Sequence, residues 1–119
     1  TDTISGQNRL PFPTEIVNII AIQWGEIDPN RMVLMSGDID SRVSDPMDYT
    51  SDSPGANDNA TGVALAMGVA HTMASAECRK QNVMIVLFDE EEKGLVGSRY
   101  FAKLLKEQNV QVSTVHTLR

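Results

Sequence analysis

Apolar residues first gather at residues 17–22 (Val-Asn-Ile-Ile-Ala-Ile), a β-branched stretch that predicts a strand. Turn formers fill residues 25–30, and the apolar Met32-Val33-Leu34-Met35 after them predicts a second strand, joined to the first by a short loop as its neighbour. Residues 36–59 are polar and rich in Asp, Ser, Pro and Gly, an unusually long loop for a compact domain. Ala60, Val63, Met67, Ala70 and Ala74 then recur at gaps of three and four, the period of an amphipathic helix, with Asp58 or Asn59 placed to cap its start. Gly62 and Gly68 inside this helix each cost about 1 kcal/mol relative to alanine, which points to close packing against a neighbouring backbone.

Residues 83–88 are apolar without alternation, as expected of a central strand covered on both faces. After a break at residues 94–97, Tyr100, Phe101, Leu104 and Leu105 form a second helical stripe ending near Gln108. The order strand, strand, helix, strand, helix predicts an α/β fold in layers: a small mixed sheet covered by two helices, with a right-handed crossover where a strand returns to a parallel neighbour. Residues 1–13, with Pro11 and Pro13, read as an irregular, mobile arm, and residues 14–119 as the domain.

Composition narrows the function. A net charge of −6 with no cluster of Lys or Arg argues against nucleic acid, whose affinity comes largely from such clusters. The longest apolar run is far shorter than the roughly 20 residues that span a bilayer, so no membrane role is expected. Cys78 is the sole cysteine, which rules out an intrachain disulfide and a thiolate zinc cluster.

Acids stand at telling places: Asp38 and Asp40 after one core strand, Asp58 at a helix start, and Glu90, Glu91 and Glu92 after the other core strand. Ligands of open α/β sheets bind outside the carboxyl ends of the strands, so these acids gather at one edge. Each cluster alone reads as a solvated loop end; all three together resist ionising unless a cation or hydrogen-bond donors offset their charge. A metal site is the simplest resolution.

Ser36-Gly37-Asp38-Ile39-Asp40-Ser41, Pro54-Gly55-Ala56-Asn57-Asp58-Asn59-Ala60-Thr61-Gly62 and Phe88-Asp89-Glu90-Glu91-Glu92-Lys93-Gly94 follow one another in the order and spacing of the co-catalytic di-zinc aminopeptidases, which this chain resembles from about Thr14 to Glu107. That family also holds glutaminyl cyclases and receptor-like members without activity. The resemblance implies a partial zinc-aminopeptidase fold, a peptide substrate and two zinc ions. Residue by residue, it implies that Asp58 bridges the two zincs, Glu92 ligates one, Glu91 is the general base and Asp40 supports the site. Carboxylate oxygens bind zinc at about 2.0–2.2 Å, and a base must face the attacking water rather than the metal, which suits adjacent glutamates with divided roles.

Two departures bear on activity. Asp38 stands where the family has a zinc-binding histidine; as a metal ligand it would favour harder ions such as manganese or magnesium, and the alternative is that it ligates nothing. The family's remaining ligands, an aspartate and a histidine, have no matching positions here, and residues 111–119 do not resemble the strand that carries the next acid. This predicts an incomplete site, weak or inactive alone, or, alternatively, a non-catalytic binding scaffold; His116 is an alternative substitute ligand, its plain reading being an exposed histidine near a terminus. His71 is a weaker candidate still. The sequon Asn59-Ala60-Thr61 lies inside the metal motif, where a glycan does not fit. Trp24, Tyr49 and the methionines read as packing or substrate rim, and Lys103, Lys106 and Glu107 as a solvated helix face. Unpaired sheet edges predict a homo-oligomer, and the resemblance leans toward a secreted or periplasmic protein.

Overall fold

The computed structural model describes residues 2–4, 9–77 and 79–119; Cys78 lies outside them. Strand β1 (Asp2–Ile4) pairs antiparallel with β2 (Thr14–Ile16). The segment expected to be an irregular arm over residues 1–13 therefore carries a strand. Its apolar residues explain why: Ile4 and Leu10 bury themselves with Ile16 of β2 and Val96 in a small cluster of their own.

The main sheet has four strands in the order β3 (Ile19–Gln23), β5 (Gln81–Phe88), β4 (Asp28–Asp38), β6 (Val112–Thr117). β3 runs antiparallel to β5, while β4 is parallel to both β5 and β6, so the sheet is mixed as expected. β3 and β4 are not neighbours, contrary to the sequence-based expectation, because β5 lies between them. Met84, Ile85, Val86 and Leu87 are consecutive and all buried, which requires a strand on each edge and cover on each face. Residues 111–119 supply β6, which pairs along β4 from Met32 to Ser36 and carries no acid.

Side chains alternate across the sheet, and each face receives one helix. Met32, Leu34, Met84 and Val86 pack against Phe101 of α2 (Val96–Glu107), with Leu105 beside them. Ile85 and Leu87 point the other way and meet Ala66 of α1 (Thr61–Ala74), with Val63 and Ala70 alongside. The helical stripe of α2 is as predicted at Phe101 and Leu105. In α1 the buried face is Val63, Ala66 and Ala70, whereas Met67 is 61% exposed and Ala60 and Ala74 are also exposed.

Small residues let α1 start almost on top of β4. A Cβ on Gly37 would lie 3.2 Å from the carbonyl carbon of Gly62, and one on Gly62 would lie 2.6 Å from the carbonyl oxygen of Leu118. Close packing thus accounts for Gly62. It does not account for Gly68, where a Cβ would meet open space. Lys103 and Glu107 form an exposed i, i+4 ion pair at 3.8 Å, the solvated face expected of α2.

Candidate functional site

The parallel pairing of β4 with β5 sets Asp38 opposite Phe88, and the amide of Ile39 donates to the carbonyl of Phe88 at 2.8 Å. Both strands therefore deliver their acids at the same end of the sheet, as the strand-end rule anticipates. Asp38 is buried, 8% exposed. Asp40 reaches across: its Oδ1 accepts the amide of Glu91 and its Oδ2 the amide of Glu92, each at 2.9 Å. One carboxylate thus fixes two consecutive peptide units and, through them, the start of both glutamate side chains.

The turn after β5 is shaped for this grip. Glu90 and Leu95 adopt left-handed backbone angles, φ 57° and 61°. The Asp89 carboxylate accepts the amide of Val17 at 3.0 Å, and the Asp89 amide donates to Asn18 Oδ1 at 3.0 Å. Gly97 is required where α2 begins, since a Cβ there would lie 2.4 Å from both Asn18 Oδ1 and the Asp89 carbonyl oxygen.

Asp58 lies exposed in a π-type turn (Ala56–Ala60) that leads into α1, joined to Asn59 by a cis peptide bond. Asn59 is 2% exposed; its Oδ1 accepts the amide of Gly62 at 3.1 Å and its Nδ2 donates to the carbonyl of Leu118 at 2.8 Å. Asn59 therefore makes the side-chain bond of a helix cap and ties α1 to the end of β6. Its burial also removes the sequon from reach of a glycan.

Charge at this end is crowded. Burial pushes the Asp38 carboxyl up; Arg119 pulls it back, while Asp40 and Asp58 raise it further. Burial likewise raises Glu91, with Asp38 and Glu92 adding to the effect and Arg119 opposing it. Asp40 is raised by burial against the lowering effect of its amide bonds, and Glu90 by burial and by Asp89. Two arginines answer the acids: Arg42 Nε lies 2.6 Å from Glu92 Oε2, and Arg119 Nη2 lies 3.4 Å from Glu91 Oε1. Neither was singled out in the sequence, although Arg42 lies two positions after Asp40 and a cation beside an acidic motif was the available signal.

The pH dependence of stability follows from these directions. A carboxyl raised on folding holds its proton more tightly in the folded state, so its charge is a cost at neutral pH that is relieved as pH falls toward the ordinary values of 4.5 and 3.8. Asp48 acts oppositely: hydrogen bonds from Ser51 and Thr50 hold its carboxyl well below the ordinary range, so its contribution is lost as the pH falls below 3.8. The thermal midpoint of the chain is expected to rise as the pH falls from 7 toward about 4.5 and to fall once the pH drops below about 3.8. A scanning-calorimetry series in which the midpoint falls steadily from pH 7 would contradict this balance.

Asp38, Asp40 and Asn59 line a cleft of about 300 Å³ with Pro54, Val63 and Met67. A larger groove, about 670 Å³, lies elsewhere, between Ile20, Ile22 and Trp24 at the β3 edge and Leu104 of α2, and no carboxylate lines it. The donor set at the acidic end is all oxygen, but among the described residues no three His, Cys, Asp or Glu side chains converge on one metal position. Among the described residues, then, the acidic end does not assemble a complete zinc site. His71 and His116 are exposed and complete no such group. Trp24 is exposed, and Tyr49, also exposed, meets Phe12 edge to face at 5.1 Å.

Similarity to known proteins agrees with this geometry. The sequence profile of peptidase family M28 matches residues 18–118. Proteins described as "Probable zinc metalloprotease" match over most of the chain. The one from Leptosphaeria maculans is 44% identical over 88% of this chain and 24% of its own length, and the one from Pyricularia oryzae 41% identical over 91% and 21%. The chain thus spans about a quarter of the length of these relatives. Among solved structures, the LapA aminopeptidase of Legionella pneumophila superposes with a TM-score of 0.65 and 25% identity, over 84% of this chain and 25% of that one. A mixed sheet between two helices, acids delivered together by β4 and β5, and a profile match over nearly all the described length lead to one conclusion: the chain belongs to peptidase family M28.

Proposed function

We propose that this chain forms the carboxylate-bearing part of a zinc-dependent peptidase that releases amino-terminal residues from peptides. The observation that carries the reading is the double grip of Asp40 on the amides of Glu91 and Glu92, which aims two adjacent glutamates at the end of the sheet where Asp38 and Asp58 also stand. In this reading Asp58 and Glu92 are metal ligands and Glu91 is the general base. Asp38 is a further oxygen donor that would admit manganese or magnesium beside zinc. Asp40 touches no substrate; it is a positioning residue. The descriptions of the relatives as zinc metalloproteases, and of LapA as an aminopeptidase, support the reaction class.

Glu91 suits a base that takes a proton from water and passes it to a leaving amine. Burial and neighbouring acids lift its carboxyl from the ordinary range toward working pH, where a base is both unprotonated and strong enough to act. With no three ligands converging, the chain by itself is expected to be weak or inactive. Association of two copies along the uncharged β3 edge, where Ile19, Ile20 and Ile22 stand exposed, belongs to the same proposal. A non-catalytic scaffold is the second reading, favoured by the ion pairs that occupy both Glu91 and Glu92.

Zinc titration by calorimetry tests the ligand assignment. Weak binding that disappears in Asp58→Ala is the expected result. Equal binding in wild type and Asp58→Ala would remove Asp58 from the ligand set and the proposal with it.

A further inference from the structure

β3 is an edge strand with none of the features that protect an edge from pairing. From Val17 to Trp24 it carries no charge and no proline, and its register with β5 runs without a bulge. Ile19, Ile20, Ile22 and Trp24 are all exposed. Hollows flank the strand on both faces: about 670 and 350 Å³ toward α2, beside Ile20, and about 260 Å³ toward α1, beside Ala21. The backbone is open as well. The amides of Val17 and Gly25 point to the β5 side, where Asp89 Oδ2 and Asn82 Oδ1 accept them at 3.0 and 2.8 Å. Alternation along the strand then turns the amides and carbonyls of Ile20 and Ile22 outward, to the free edge.

Charge and area indicate what fits there. The chain carries a net charge of −6, and its acids gather at the end of the sheet where Ile19 pairs with Leu87. A second copy is repelled wherever two acidic ends meet, but not along an uncharged edge, and antiparallel pairing sends the two acidic ends to opposite ends of the joint sheet. Covering the exposed parts of Val17, Ile19, Ile20, Ile22 and Trp24 in both copies removes roughly 1,000 Å² from water, about the least that a specific interface needs. Ala21, small and at the middle of β3, suits a two-fold axis, since the antiparallel pairs that exchange no hydrogen bond bring their Cα atoms to roughly 4.5 Å.

We propose that two copies of this chain pair their β3 strands antiparallel about a two-fold axis at Ala21, joining two four-stranded sheets into one. Ile20 of each copy then lies opposite Ile22 of the other, and each such pair exchanges both backbone hydrogen bonds. The same residues form one apolar layer beneath the two α2 helices, where the larger hollows stand. The inference rests on the association of two copies at this edge and on no metal. It carries a consequence for the acidic ends: they lie too far apart for either copy to lend a side chain to the other, so the pairing does not complete the site.

The test has two arms on the purified chain. Sedimentation equilibrium at about 100 µM is expected to give the mass of two chains for wild type. Ile20→Lys, at an exposed position, is expected to give the mass of one, with its far-ultraviolet dichroism unchanged. Wild type sedimenting as one chain would overturn the pairing and the association together, and would leave the ligand assignment, which the zinc titration reads, where it stands. The second arm is cross-linking in a Cys78→Ser background, and it decides independently of how well Ile20→Lys folds. Ala21→Cys is expected to form an interchain disulfide under mild oxidation, because the axis sets the two residues within bridging distance. Ile19→Cys is expected to form none, although Ile19 is exposed, because it falls opposite Gln23 of the second copy. A dimer that persists in Ile20→Lys, or that cross-links through Ile19→Cys as readily as through Ala21→Cys, would overturn the pairing at Ala21 and move the association to another face.

Discussion

Glu91→Gln is expected to lower the rate of amino-terminal residue release by about 10²–10⁴-fold, in this chain or in any longer form that contains it, without lowering the unfolding midpoint. Glutamine keeps the shape and one hydrogen-bonding oxygen but cannot take up a proton at working pH. The side chain is partly buried, and its ion pair to Arg119 at 3.4 Å is made with a 63% exposed partner, where such pairs contribute little to stability. Loss of rate and retention of fold therefore separate cleanly. The assay is hydrolysis of an aminoacyl anilide, with urea unfolding of the same preparation as the control. Hydrolysis at an unchanged rate would show that Glu91 carries no proton in the reaction, and the non-catalytic reading would take its place.

Phe101→Ala is the second large effect, this time on stability: a loss of about 3–5 kcal/mol. Phe101 is 5% exposed and is the residue of α2 that enters the cluster of Met32, Leu34, Met84 and Val86, with Phe88 tilted against it at 5.8 Å between ring centres. Neighbours drawn from two strands cannot close the space left by a phenyl ring without bending the sheet. Domains of this size are typically stable by about 5–15 kcal/mol, so the variant should sit close to unfolding at room temperature. Tyr100→Ala serves as the contrast, because Tyr100 is 42% exposed and its loss should cost far less. Comparable losses in the two variants, measured by urea titration, would mean that α2 does not seal the sheet through Phe101.

Much of the site could be read from residue order because its logic is topological. A run such as Val83-Met84-Ile85-Val86-Leu87-Phe88 declares a doubly covered strand, and acids following such a strand fall at the sheet edge where parallel strands present ligands. The three acidic motifs therefore pointed to the same place before any coordinates. The order of the strands was less legible. A short connection between β3 and β4 suggested a hairpin-like pair, but adjacency in the chain carries less free energy than burying both edges of β5. The face of α1 was misjudged for a related reason: alanine and glycine signal weakly on a hydrophobic scale, and it is their small size that lets the helix settle on Gly37. β1 and β6 are short strands of mixed polarity with no period strong enough to mark them. Arg42 escaped notice because its importance lies in its bond to Glu92, remote in sequence, whereas Asn59 was legible as a cap for α1 but its bond to the carbonyl of Leu118 was not.

The register that sets Asp38 opposite Phe88 joins positions about fifty residues apart, and parallel strands cannot be joined by a hairpin. Closing so long a loop costs entropy before any contact rewards it, so the β4–β5 pairing is a slow, non-local event. Until it happens, the acids at 38–40, 58 and 90–92 are strangers in a solvated chain. Repulsion between the separate acidic segments arises as those strands pair, so it opposes the slow step of folding itself. The charge gathered at this end of the sheet is thus registered in the rate at which the fold forms.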